Sequence, residues 1–258
     1  MTTTDLRKVG SISLLDLDII SRFYGRDFLP YPFMLTQPSR FSSHAEYIRY
    51  AISVPDRFNN GDLHIFQQWA ASYAYADIRV ECHVQYIPAE PPSVRVAAAR
   101  RDQKGFLAKQ RPAEDVIDVY ELCPYLLGPA VADSVALQKP GRHVGIVIPE
   151  YVRAPDNPGA LDNFIIHNAI DDEPNATEVA RTEVTAFGTV QTHWRPARCW
   201  GPDPGKKAAT WVRINDDGDY LYTADFSEAR PMSQPMLAER VDQLITEDIR
   251  ALRQFRNG

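Results

Sequence analysis

Two stretches of this chain carry the same strand–turn–strand order, Val94 to Gln110 and Thr210 to Ala224. In the first, the turn Asp102-Gln103-Lys104-Gly105 leads back through Phe106 and Leu107. In the second, Asn215-Asp216-Asp217-Gly218-Asp219 leads back through Tyr220 and Leu221. Asn, Asp and Gly tolerate the positive φ that tight hairpins demand, so both stretches read as hairpins. Gly105-Phe106-Leu107 sits where Asp219-Tyr220-Leu221 sits, which reads as an internal duplication. An isolated hairpin is marginal in water. Two halves, about residues 1–128 and 129–258, can instead share one antiparallel sheet and bury a common core in a single α+β domain.

Other segments fit that frame. Ile78, Val80, Cys82 and Val84 alternate within Asp77 to Tyr86, and Val116 to Cys123 and Val184 to Thr192 also read as strands. Ser13 opens a helix through Leu14, Leu17, Ile20 and Phe23, with Asp16 as a short stand-in for a capping-box Glu and Gly25 as the stop. Ser42 or Ser43 caps a second helix, and Asp62 a third whose stripe is Leu63, Phe66, Trp69, Ala70 and Tyr73. Leu29-Pro30-Tyr31-Pro32-Phe33 is a packed turn, because its prolines withhold backbone donors. Pro129 to Pro158 shows only two short apolar runs, while Asp156 to Pro158 and Asp171 to Pro174 read as loops. The last element is the clearest. Ser233 or Gln234 caps it, and Leu237, Val241, Leu244, Ile245, Ile249, Leu252 and Phe255 make one apolar stripe.

Charge and motif content exclude several functions. The 28 basic and 34 acidic residues leave a net charge of −6, which disfavours nucleic-acid binding. The basic run Arg100, Arg101, Lys104, Lys109 and Arg111 is spread along a hairpin and reads as a solvated face. Three cysteines, Cys82, Cys123 and Cys199, stand far apart without a CxxC pair and read as reduced thiols of a cytoplasmic protein. No secretory leader and no run of roughly 18 apolar residues is seen, so no membrane insertion is expected. The six histidines contain no HExxH pair, and no GxSxG, GxGxxG or P-loop occurs. An EF-hand placed on Gly218 would need ligands at Arg213 and Ala224, which cannot serve. No catalytic residue, metal or cofactor is therefore expected.

Four stretches in this order resemble the EspG family, the chaperones of type VII (ESX) secretion. They are the first helix running into Leu29-Pro30-Tyr31-Pro32-Phe33, the segment Arg181-Thr182-Glu183-Val184-Thr185-Ala186-Phe187-Gly188, the hairpin from Trp211 to Leu221, and the capped C-terminal helix. Residues 129–180 match poorly. The resemblance implies a central antiparallel sheet with pseudo-two-fold related halves, flanked by helical bundles that include the C-terminal amphipathic helix. It also implies a cytoplasmic, non-enzymatic protein that holds PE–PPE or related helical-hairpin substrates soluble before export. The cargo's apolar tip would then dock on the sheet and C-terminal helix. Candidate partner contacts are Trp211, Arg213, Tyr220 and Tyr222 on the hairpin and Gln234, Leu237 and Arg240 at the start of the last helix, ranked because aromatics and Arg anchor interfaces. Tyr73 and Asp77 match the cargo's own Tyr-x-x-x-Asp spacing, but no Trp-x-Gly accompanies them and the strand content is too high for a helical hairpin. The alternative reading is a small-molecule-binding or hydrolytic α+β protein with a closed pocket that draws in His83 or His193.

Overall fold

Strand order in the computed structural model, which describes residues 5–89, 91–151, 176–195 and 200–257, follows the duplication. The first half runs β1 (Arg7–Ser13), α1 (Leu14–Phe23), α2 (His44–Asn59), a 3₁₀ turn (His64–Phe66), α3 (Gln67–Ala74), β2 (Ile78–Tyr86), β3 (Val94–Arg101), β4 (Lys104–Gln110), β5 (Val116–Leu122) and α4 (Leu127–Ser134). The second runs β6 (Gly145–Val147), β7 (Ala176–Glu178), β8 (Val184–His193), β9 (Ala209–Ile214), β10 (Gly218–Tyr222), β11 (Ala229–Pro231) and α5 (Gln234–Asn257). The described strands form one sheet in the order β1-β5-β4-β3-β2-β8-β9-β10-β11-β6-β7, antiparallel throughout except for β6 and β7. In each half a four-strand meander is flanked by the half's first strand, which pairs antiparallel with the meander's last, and a helix follows. The halves join where β2 and β8 pair from Arg79 opposite His193 to Tyr86 opposite Ala186.

The hairpins occupy equivalent registers. Gly105 pairs with Arg100 and Asp219 with Arg213, so Phe106 matches Tyr220. Each turn holds an aspartate at positive φ, Asp102 at 51° and Asp216 at 55°, a conformation that Asp tolerates better than most side chains. The repeat changes over after α4, which corresponds to α5, so the expected break at residue 128 falls inside a helix.

Local signals explain most of the helices. The Ser13 hydroxyl accepts the Asp16 N–H at 3.0 Å, Ser43 caps α2, and Gly25 sits at φ +68° after α1. Asp62 does not cap a helix. Arg57 holds its carboxylate through two bonds of 3.0 and 2.9 Å, and α3 starts only at Gln67 after the 3₁₀ turn. No sequence signal marked α4, whose own N-cap residue, Leu126, has no capping side chain. Asp242 of α5 serves instead, accepting from the Gly128 backbone. A Cβ on Gly128 would lie 2.1 Å from its carboxylate.

Helices cover the sheet unequally. On one face, Val80, Cys82, Val96, Leu107, Val190 and Trp211 meet α4 and α5 through Val131, Leu237, Val241 and Leu244. On the other, Phe106, Ala108, Ile117 and Val119 of the first half pack under α1 to α3. Val212, Ile214, Tyr220 and Tyr222 of the second half form a separate cluster with Ile146, Ile148 and Val179. Each fully buried Leu or Val of α5 contributes about 2 kcal/mol of apolar transfer, so α5 is held mainly by its stripe. That stripe ends differently from the sequence expectation. The next buried position is Asp248, whose carboxylate accepts from Lys206 at 2.8 and 2.9 Å and from Thr192 at 2.7 Å. Phe255 stays 66% exposed and leans on Trp194.

Candidate functional site

Between the two apolar clusters of the second face, the β2–β8 seam presents a polar row, because strand residues alternate sides. Arg79, Glu81 and His83 come from β2, and Gln191 and His193 from β8. Glu81 is 3% exposed. Its carboxylate lies 3.3 Å from Arg79 Nε and 3.2 Å from His193 Nε2, and it accepts the Tyr73 hydroxyl at 3.3 Å. Arg79 also donates to the Arg195 carbonyl at 3.0 Å. Burial, then the Glu81 charge, holds the Tyr73 phenol well above its ordinary range. Gln191 exchanges two 2.8 Å bonds with the Asp203 backbone. Every charge in this part of the row has an opposite partner, which is the arrangement a buried ion cluster needs to persist.

The row offers little for chemistry on a substrate. The cavity beside it, lined by Leu17, Ile20, Tyr24, Trp69, Tyr73 and Arg79, measures about 30 Å³, room for about one water. Cys82 lies on the opposite face, and burial pushes its thiol up to about 12, so it stays protonated and unreactive. Among the described residues no three His, Cys, Asp or Glu side chains gather as metal ligands. Cys199 and His167 lie outside the described residues.

The seven candidate partner contacts fall mostly in the core. Trp211 is 1% exposed, Tyr220 0%, Tyr222 7% and Leu237 0%. The Tyr220 hydroxyl donates to Asp217 and accepts the His143 N–H at 3.0 Å, while Tyr222 stacks on Phe226. Arg213 is clamped bidentately on Asp219 at 2.8 and 3.1 Å and donates to the Ala136 carbonyl at 2.7 Å. Trp211, Tyr220, Tyr222 and Leu237 are therefore corrected from surface anchors to core, and Arg213 to a part-buried structural ion pair. Both faces of the second hairpin are covered, so its alternation turns Trp211 and Arg213 inward on one side and the tyrosines inward on the other. Gln234 and Arg240 remain part-exposed, Gln234 donating to Asp133 at 2.6 Å and Arg240 to Gln243 at 3.2 Å. Met236 lies between them in sequence and is 44% exposed.

No protein-family model matches the chain, and no curated protein matches it. Among solved structures, the chain is similar to the Mycobacterium tuberculosis type VII secretion system chaperone EspG5, determined in complex with the PE25–PPE41 dimer. The likeness covers 91% of this chain and 95% of that one, with a TM-score of 0.47 and 10% identity. At that score and identity it carries no residue-level information.

Sequence reading missed the Lys206–Asp248–Thr192 lock and the two exposed isoleucines of α2, Ile48 and Ile52, at 39% and 71%. The isoleucines had a signal, their four-residue spacing on one helical face. The lock had none, because its members come from three separate segments.

Proposed function

We propose that this chain is a cytoplasmic chaperone of type VII secretion that binds a PE–PPE-like pair and shields the pair's apolar helical tip before export. One observation carries the reading. The sheet consists of two halves of matching strand order, each followed by a helix, and α4 and α5 pack together on one face. That is the architecture implied by the sequence motifs from Leu29 to Phe33, Arg181 to Gly188, Trp211 to Leu221 and the C-terminal helix. No helix among the described residues is long and apolar enough to cross a membrane. The part-exposed contacts left for a partner are Gln234, Met236 and Arg240, where a thioether and a guanidinium suit an apolar tip with a polar rim.

Co-expression with a PE–PPE pair encoded beside this gene, followed by size-exclusion chromatography, tests the reading. A stoichiometric complex is expected, and Met236→Asp with Arg240→Glu is expected to weaken it at least tenfold without lowering the melting temperature. Separate elution of the chain from every such pair would remove the reading.

A further inference from the structure

Helix α2 carries apolar side chains on two opposite sides. Val54 and Phe58 are buried in the cluster beneath it, while Ile48 and Ile52 point outward, 39% and 71% exposed. Four residues apart on a helix, the two isoleucines stand one above the other. Ala45 and Asn59, both exposed, lie seven residues before and after Ile52 and continue the same stripe. The stripe therefore runs about four turns, nearly the whole of this 16-residue helix.

Two charges flank the stripe on one side. Arg49 and Asp56 are seven residues apart, so they project at nearly the same angle, about one turn before and one turn after Ile52. Both are exposed, and among the described residues neither forms an ion pair. Asp56 accepts the Asn60 side-chain amide at 3.1 Å. The other charges of this region are engaged within the chain. Glu46, one turn before Arg49, accepts the Ser42 N–H and hydroxyl at 2.9 Å each. Arg57 is held by Asp62 and Asp16, and Arg40 stacks over the Tyr50 ring at 4.4 Å.

We propose that this face of α2 binds a second copy of the same chain, the two helices packing antiparallel about a two-fold axis between Ile52 and Ser53. The order of charges selects that partner. An axis there sets Arg49 of each copy opposite Asp56 of the other, so two reciprocal ion pairs flank the Ile52 side chains that meet at the centre. Flanking ion pairs of this kind set the orientation of paired helices. A parallel alignment would bring arginine to arginine and aspartate to aspartate. The same patch on both copies is what a closed two-fold contact requires. The contact is narrow. A stable interface buries roughly 1,200 Å² or more in total, and one helix pair falls short of that, so the dimer should be weak, with a dissociation constant on the order of 100 µM. The α2 face lies across the sheet from α5, which carries Met236 and Arg240. The dimer therefore leaves the proposed cargo contacts open, and the inference goes beyond that reading.

Sedimentation equilibrium of the full chain at low salt, at concentrations well below and well above that constant, reads the association without any cargo present. The wild type should shift from monomer to dimer. Ile52→Asp, a change at an exposed position, should melt with the wild type and stay monomeric. Arg49→Asp and Asp56→Arg should each weaken self-association at least tenfold, because each sets like charges opposite one another. An equimolar mixture of those two variants should associate at least as tightly as the wild type, since both ion pairs re-form between unlike chains. A wild type that stays monomeric at millimolar concentration, or a mixture that associates no better than its components, would overturn the inference. So would a dimer that survives Ile52→Asp while binding of the PE–PPE-like pair is lost, which would assign the face to the cargo.

Discussion

A methyl group added at Gly188 would have to enter space that is already filled. Gly188 lies mid-strand in β8, between Val84 of β2 and Trp211 of β9. A Cβ there would fall 2.1, 2.2 and 2.6 Å from three atoms of the Trp211 ring. Real carbon contacts lie near 3.5–4.0 Å, so the indole must shift by more than about 1 Å. Trp211 is 1% exposed and packed in the α4–α5 cluster, so it has no free space to move into. Burying one methyl would return about 0.8 kcal/mol, and overpacking a filled core costs about 1–3 kcal/mol or more. Gly188→Ala should therefore destabilise the chain by about 2 kcal/mol. Trp211→Phe alone should cost about 2 kcal/mol through the cavity it leaves, yet in the Gly188→Ala background it should cost far less, because the smaller ring makes room for the methyl. Urea denaturation of the two single variants and the double variant gives the coupling, expected at 1–3 kcal/mol. Additivity to within about 0.5 kcal/mol would refute the close approach.

Two further outcomes follow from buried charge. Asp219→Ala strands Arg213 and the Gln138 N–H that its carboxylate accepts, so urea melts should show a loss of about 3–5 kcal/mol; a loss under about 1 kcal/mol would mean that water replaces the pair. His83 should impose an acid dependence. Its folded pKa of about 4 lies below the ordinary 6.5, so between those values the unfolded chain binds the extra proton and stability falls as pH drops. Discounted for its part exposure, the loss from pH 7 to pH 4 should be about 2 kcal/mol, and His83→Asn should remove that share of it. Parallel pH–stability curves for the two proteins would contradict this assignment.

The sheet was largely legible in the sequence because strand alternation and hairpin chemistry are local. Ile78 to Tyr86, Val94 to Gln110 and Thr210 to Tyr222 form strands and hairpins where alternation and turn residues place them. The elements that were not legible depend on distant partners. α4 has Gly128 and Pro129 in its first turn and is capped by Asp242 from another helix, so nothing near it in sequence announces a start. Asp62 looked like a cap until Arg57, one turn back, claimed its carboxylate. The candidate contacts failed for a related reason. An aromatic at an alternating strand position announces burial on some face, but sequence does not tell whether that face meets a helix of the same chain or a partner. Trp211 and Leu237 meet each other's layer.

The duplication also accounts for where polar groups collect. Pseudo-two-fold pairing sets α4 and α5 side by side over the centre of one face, so β2 and β8 are largely apolar there, as Ile78, Val80, Cys82 and Val190 are, with Thr192 bonded to Asp248 of α5. On the other face the helices of the first half lie mainly over β3, β4 and β5, and α3 reaches the junction only through Tyr73. The centre of that face is closed by the Leu29–Phe33 turn and by Trp200, short segments that bring few apolar side chains. A strand pair closed by loops must satisfy its own polar row. Glu81 offsets the Arg79 charge and lies beside His193, although Arg79 Nε and His193 Nε2 complete no hydrogen bond, while Gln191 pairs with the Asp203 backbone. His83 shows the cost of a row closed this way: its Nε2 is sealed without a partner, and burial keeps the ring neutral at pH 7.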